Sequence, residues 1–131
     1  MCRENLKGMW MAKGGYELKV EVLFNGLNLD AFLLEYGTER AGDFRPLRFL
    51  PEDKTAVLGL VSTKTPKLET RDDLKRQNHE ATRYVPLEQL GLSRQCGFSS
   101  CGGHGQVITA DDVRRKLTLI LKVASEVWST V

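Results

Sequence analysis

The stretch "TAVLGLVST" (residues 55–63) is nearly continuous in its apolar character, and it determines the fold class that we predict. A short apolar run of this kind, bounded by turn-forming residues, is typical of a parallel strand covered on both faces. The run stops at "KTPKLE", which has the composition of a loop. We therefore predict a buried strand over residues 55–63.

Two further strands are predicted on either side of this one. The segment "DAFLLEY" (residues 30–36) is short and apolar, and it stops at Glu35 before the loop-like "GTERAGD". A third short strand is expected over residues 90–93, directly before "RQCGF". The three predicted strands are separated by longer segments, which is the spacing that βα units require.

Helical patterns alternate with the strands. Thr70 is placed to cap a helix with Asp73 three positions on, and Thr109 begins the last helix with acidic residues in its first turn. An earlier helix is expected from Tyr16 to Phe24, although its β-branched content leaves a strand as an alternative. The predicted inward faces are Leu74, Asn78, Ala81 and Val85 on the middle helix, and Val113, Leu117, Leu121, Ala124 and Trp128 on the last helix.

The alternation of strands and helices predicts an α/β fold with a parallel sheet, in a single domain over residues 1–131. It corresponds to about half of a (β/α)₈ barrel, or to a small open α/β sheet. The composition is that of a globular domain, with 41% hydrophobic and 27% charged residues and a net charge of +2. Basic and acidic residues are interspersed, so no nucleic-acid partner is predicted. Neither a membrane span nor a secretory signal is predicted, and we expect a cytoplasmic protein.

Candidate functional residues follow the ends of the predicted strands. Glu35 closes the first strand, Lys64 follows the second and Cys96 follows the third, and we expect Cys2 to occupy an equivalent place. In α/β folds the carboxyl ends of parallel strands share one rim, where functional groups gather. Two thiolates and a carboxylate at one rim would form a three-ligand zinc set with an open position.

Three segments carry a resemblance to a known family: "FLLEYGTERAGDFRPLRFLP", "AVLGLVSTKTPKLETRDDLKRQNHEATRYVPLEQLGLSRQCGF" and "ITADDVRRKLTLILKVASEVW". In these segments the chain resembles the C-terminal part of the cobalamin-independent methionine synthase family, in its shorter branch. The resemblance implies a (β/α)₈ barrel, a zinc cofactor and transfer of a methyl group from a methylated folate or related donor to homocysteine. It also implies three zinc ligands, namely Cys2, Glu35 and Cys96.

The chain departs from the family pattern at several positions. It begins at the middle position of the motif that contains Cys2, so the histidine ligand is absent, and we expect this chain to be the last part of a longer barrel and inactive alone. Gly37 stands where an acidic residue is usual, and the loop after Cys96 carries Cys101 and His104, which are not family ligands.

Alternative interpretations remain open at this stage. The chain could be a non-catalytic remnant or interaction module, or a small zinc module in which Cys96, Cys101 and His104 bind a metal with Glu35. Lys64 and Arg40 could contact an anionic group of a substrate, and His79 is expected on the surface. The missing barrel strands predict self-association through open sheet edges, or local opening at the N-terminal segment.

Overall fold

The centre of the molecule is a three-stranded parallel sheet, seen in a computed structural model that describes residues 5–6, 9–10, 15–17, 19–37, 41–98 and 108–129. The described strands are β1 (Asn5–Leu6), β2 (Met9–Trp10), β3 (Ala31–Glu35), β4 (Thr55–Val61) and β5 (Leu90–Arg94). The described helices are α1 (Val20–Gly26), α2 (Arg71–Ala81) and α3 (Ala110–Val127), with short 3₁₀ helices at Arg45–Phe49 and Leu87–Gln89.

The three predicted strands are present and pair in parallel, in the order β3-β4-β5. Each lies within the predicted range or exceeds it by one residue. The two strands described near the start of the chain do not join this sheet, because β1 and β2 pair with each other as a two-residue antiparallel ladder. The register across the sheet aligns Leu33 with Val57 and Gly91, and Glu35 with Gly59 and Ser93.

The two faces of the sheet differ in burial. Phe32, Leu34, Ala56, Leu58 and Leu90 on one face join a single core with residues of all three helices. On the other face, Leu33 is 62% exposed, and Thr55 and Val57 are only half-buried. The expectation that residues 55–63 are covered on both faces is therefore wrong at the amino end of β4, because the described helices pack on one side. It holds for Gly59, which is buried.

The first two helices are confirmed, with shifted boundaries. The helix α1 begins at Val20, four residues after the predicted start at Tyr16, and ends at Gly26. At the start of α2, the Thr70 side chain accepts a hydrogen bond from the Asp73 backbone N–H at 3.2 Å, as its sequence predicts. The predicted inward face of α2 is confirmed for Leu74, Asn78 and Ala81, which are buried. Val85 is also buried, but it lies after the end of the helix at Ala81.

The helix α3 is confirmed, but its predicted inward face is wrong at Leu117 and Leu121, whereas Trp128 packs against the core as predicted. The buried residues are Lys116, Leu119 and Val123, whereas Leu117 is 42% exposed and Leu121 is 72% exposed. The buried stripe includes Lys116, whose Nζ atom forms an ion pair with Glu69. A hydrophobic pattern cannot signal a buried lysine, so the sequence placed the inward face of α3 at Leu117 and Leu121 instead. Within the described part of the chain, no helix is long and apolar enough to cross a membrane.

Candidate metal site at the carboxyl end of the sheet

Glu35 is held at the end of β3 by a tyrosine from outside the sheet. Glu35 is buried, with 5% exposure, and it lies in register with Gly59 of β4 and Ser93 of β5. The Tyr16 hydroxyl accepts a hydrogen bond from the Glu35 backbone N–H at 2.8 Å and donates one to the Glu35 carbonyl at 3.1 Å. Both bonds occupy backbone groups of Glu35 that β4 does not use. Tyr16 therefore substitutes for a neighbouring strand at this point of the edge.

Cys96 reaches β3 because the chain crosses the end of β4 after it leaves β5. The strand β5 neighbours β4 and not β3, so a straight continuation of β5 would keep Cys96 away from Glu35. Instead, the Gln95 backbone N–H donates to the Val61 carbonyl at 2.8 Å, and the Gln95 side-chain amide donates to the Tyr36 carbonyl at 2.6 Å. These two bonds connect the segment after β5 to both of the other strands.

Gly59 provides the room for this crossing. A Cβ atom at Gly59 would lie 3.2 Å from the Gln95 Cα atom and 3.1 Å from the Arg94 carbonyl oxygen. The pairing between β4 and β5 also shifts register between Gly59 and Val61. Such irregularities re-aim a strand near functional sites. The absence of a side chain and the register shift together bring the segment after β5 close over β4.

The two predicted ligands of the described region meet at this rim. The Cys96 thiol donates a hydrogen bond to the Glu35 Oε1 atom, and the two residues line a cavity of about 190 Å³ together with Leu33, Leu34, Gly59, Ser93, Arg94 and Gln95. The predicted convergence of Glu35 and Cys96 is thus observed. A thiolate sulfur and a carboxylate oxygen are both zinc ligands, so the pair fits two positions of a zinc site.

The other candidate residues have different outcomes. Cys2, Arg40, Cys101 and His104 lie outside the described residues, so their predicted roles stay predictions. Among the residues that the structure does describe, no group of three or more His, Cys, Asp and Glu side chains could hold a metal.

Lys64 and His79 are both described. The Lys64 Nζ atom donates to the Gly97 carbonyl at 2.9 Å, and His79 is exposed on α2, as predicted. The sequence did not point to Tyr16 or Gln95, because neither residue belongs to a metal-ligand pattern.

Comparisons with known proteins place the sheet and its helices within a larger fold. No family model matches the chain. The solved B12-independent methionine synthase from Shewanella sp. W3-18-1, in complex with selenomethionine, matches 87% of this chain with a TM-score of 0.71 and 20% identity, over 30% of its own length. A structure from Listeria monocytogenes, assigned as a vitamin-B12-independent methionine synthase, matches 88% of this chain with a TM-score of 0.65 and 33% identity, over 32% of its own length.

Two curated relatives share more of the sequence. The uncharacterized proteins YxjG and YxjH of Bacillus subtilis are 46% and 43% identical over 129 residues, which is 98% of this chain. This chain spans about a third of the length of each relative, since the matches cover 34% of either protein. The α/β structure thus matches part of the fold of B12-independent methionine synthases.

Proposed function

We propose that this chain belongs to the cobalamin-independent methionine synthase family and carries part of a zinc-dependent homocysteine S-methyltransferase site. The contact between Cys96 and Glu35 at the carboxyl ends of parallel strands is the observation on which this proposal depends. The likeness to two methionine synthase structures supports it. The substrates would be homocysteine and a methylated folate or related donor.

The residues of the chain have separate parts in this proposal. Glu35 and Cys96 would hold zinc, with Cys2 as a further ligand, and Cys96 must lose its proton because the thiolate is the ligand form. When bound, zinc would stabilise a substrate thiol in its deprotonated, nucleophilic form at neutral pH. In the overall reaction the homocysteine sulfur loses its proton and forms a bond to the methyl carbon, while the bond between that carbon and its donor atom breaks, and the donor atom keeps the electron pair and takes up a proton.

The burial of Glu35 also supports the proposed ligand role, because an ordinary surface carboxylate would be exposed to solvent. Carboxylates are rarely as buried as this side chain unless they are paired. Here the Cys96 thiol contacts the carboxylate, and Tyr16 and Gln95 hold the backbone on both sides of the pair. Ligands fixed in advance by packing and hydrogen bonds lose less entropy when an ion binds.

The decisive experiment measures zinc on the purified chain. We expect zinc to bind to the chain, and we expect Cys96→Ser and Glu35→Gln each to weaken its affinity by at least about 10–100-fold, the loss typical when even an outer-shell partner of a metal ligand is removed. Glu88→Gln, in the exposed first turn of a 3₁₀ helix, is the matched control and should leave the affinity unchanged. Affinity is measured by competition with a chelating dye.

Three further outcomes of the same measurement distinguish the alternatives. Loss of zinc in Cys2→Ser would support the complete ligand set that the resemblance implies. Loss of zinc in Cys101→Ser and His104→Ala, with no effect of Glu35→Gln, would replace this proposal with a separate zinc loop. A chain that binds no zinc under any of these conditions would instead support a non-catalytic remnant.

A further inference from the structure

The segment that carries Cys96 is tied to the loop between β4 and α2. The half-buried Lys64 side chain donates from its Nζ atom to the carbonyl of Gly97, the residue after Cys96, at 2.9 Å. The Lys64 backbone N–H in turn donates to the Ser62 Oγ atom at 3.3 Å. The position of the Cys96 segment therefore depends on where this loop holds Lys64.

A single carboxylate organises that loop. The Glu69 Oε1 atom accepts a hydrogen bond from the Ser62 backbone N–H at 2.8 Å. This bond joins the end of the loop to its beginning. The Glu69 Oε2 atom accepts from the Lys116 Nζ atom of α3 at 3.1 Å, and the same ammonium group donates to the Lys67 carbonyl at 2.6 Å. The helix α3 thus holds the loop through one lysine.

The burial of Lys116 supports a role for this ion pair in fixing the conformation of the loop. The Lys116 side chain is fully buried, and a buried charge is unfavourable unless it is paired and hydrogen-bonded. A well-packed apolar pair at such a position is often as stable as an ion pair or more so. An ion pair with fixed hydrogen bonds, in contrast, specifies one conformation of the loop.

We propose that Lys64 is a positioning residue for Cys96, and that the Glu69–Lys116 pair acts on Cys96 through Lys64. The ammonium group of Lys64 holds the Gly97 peptide, which keeps the neighbouring thiol against Glu35. Only the link between this position and zinc binding rests on the proposed function. The position of the thiol itself can be measured without any metal.

The test uses the full chain with Cys2→Ser and Cys101→Ser, so that Cys96 is the remaining one of its three cysteines. Alkylation by iodoacetamide is measured without zinc over a series of pH values from neutral upward, and each variant is compared with this parent chain at the same pH, so that access to the thiol is separated from loss of its proton. We expect Lys64→Met to raise the alkylation rate about tenfold, as the loss of one charge-assisted hydrogen bond predicts. Lys64→Arg, which restores a donor, should return most of the protection.

Lys54→Met is the matched control. The Lys54 Nζ atom donates to the Leu29 carbonyl at 2.6 Å, so it makes the same kind of contact at the amino end of β4. This variant should leave the alkylation rate unchanged. Urea unfolding of each variant shows whether the fold is retained.

A double-mutant cycle tests the second half of the proposal. Glu69→Gln combined with Lys116→Met should raise the alkylation rate when Lys64 is present, but should add little to Lys64→Met. An unchanged rate in a folded Lys64→Met chain, or an equal increase in Lys54→Met, would overturn the proposal. If the chain binds no zinc while these rate changes occur, the proposed function fails and the positioning role of Lys64 stands.

Discussion

Gly37 follows the buried end of β3 and adopts a backbone conformation that a side chain would disfavour. Its φ angle is +87°, and a Cβ atom would lie 2.4 Å from the Leu60 carbonyl oxygen. The pattern implied by the resemblance has an acidic residue here, but in this chain the close approach of β4 leaves room only for glycine. The departure from the pattern thus has a structural reason.

Gly37→Ala should lower the free energy of unfolding by about 2–4 kcal/mol, because it adds left-handed strain and a clash with backbone. Gly26→Ala is the control, since a Cβ atom there would meet only the Val22 Cγ1 atom at 4.0 Å. Urea unfolding followed by circular dichroism measures both. Equal stability of the two variants would contradict this account of Gly37.

Tyr16→Phe should destabilise the end of β3 by about 1–3 kcal/mol, because it leaves the Glu35 backbone N–H and carbonyl without the hydroxyl that now binds both. Hydrogen exchange at the Glu35 amide should become faster by a corresponding factor. Tyr84→Phe, in a half-buried tyrosine after α2, serves as the control. Unchanged exchange at Glu35 in Tyr16→Phe would show that the hydroxyl does not protect this edge.

Among the elements, α3 has the most complete N-terminal cap. The Thr109 side chain accepts from the Asp112 backbone N–H at 3.2 Å, and the Asp112 carboxylate accepts from the Thr109 backbone N–H at 3.0 Å. The backbone N–H and then the hydroxyl of Thr109 hold the pKa of Asp112 below its ordinary value. This reciprocal arrangement satisfies two backbone donors at the start of the helix.

The capping box predicts acid sensitivity in a defined direction. Since the pKa of Asp112 is lower in the folded than in the unfolded chain, its contribution is present above the unfolded value of about 3.9 and is lost as the pH falls through the folded value. Asp112→Asn should therefore reduce the loss of unfolding free energy between about pH 5 and pH 2.

Thr109→Ala is the companion variant, because it removes the hydroxyl donor and leaves the backbone donor. It should produce part of the same reduction. Urea unfolding at a series of pH values measures both variants. A pH dependence that is identical in Asp112→Asn and the unaltered chain would refute the prediction.

For the whole molecule, the exposed apolar side chains beside β3 predict how the chain behaves in solution. Leu33 is 62% exposed, Leu29 is 48% exposed, and both line an apolar cavity of about 290 Å³ beside β3. An exposed apolar strand at a sheet edge tends to pair with another chain. We therefore expect self-association that increases with protein concentration, or local opening near the N-terminal segment.

Leu33→Lys should reduce this association, because a charge on an edge strand opposes pairing with a second chain. Leu121→Lys is a matched control on α3, where the leucine is 72% exposed but belongs to no strand, and it should leave the association unchanged. Sedimentation velocity over a range of concentrations measures both variants. A compact monomer with cooperative unfolding at every concentration would contradict the prediction.

Local patterns in the sequence were sufficient to predict the three strands of the parallel sheet, the three α-helices and the types of the candidate ligands. The apolar run at residues 55–63, the caps at Thr70 and Thr109, and the positions of Glu35 and Cys96 after strands are properties of short segments. The structure confirms the elements and the convergence of this pair. Short-range chemistry dominates such features because turns, caps and periodicity depend on residues only a few positions apart.

The tertiary structure decided how the elements bring distant polar groups together. Glu35 and Cys96 are 61 residues apart, and their contact depends on a crossing over β4 that Gly59 permits. The burial of the Lys116 side chain likewise depends on the Glu69 carboxylate, which lies 47 residues earlier in the chain. The periodicity of apolar residues predicts which side chains are buried. The pairing of buried polar groups, in contrast, follows from the register and packing of whole elements. For this reason the sequence indicated the candidate ligands, whereas only the fold revealed the residues that position them.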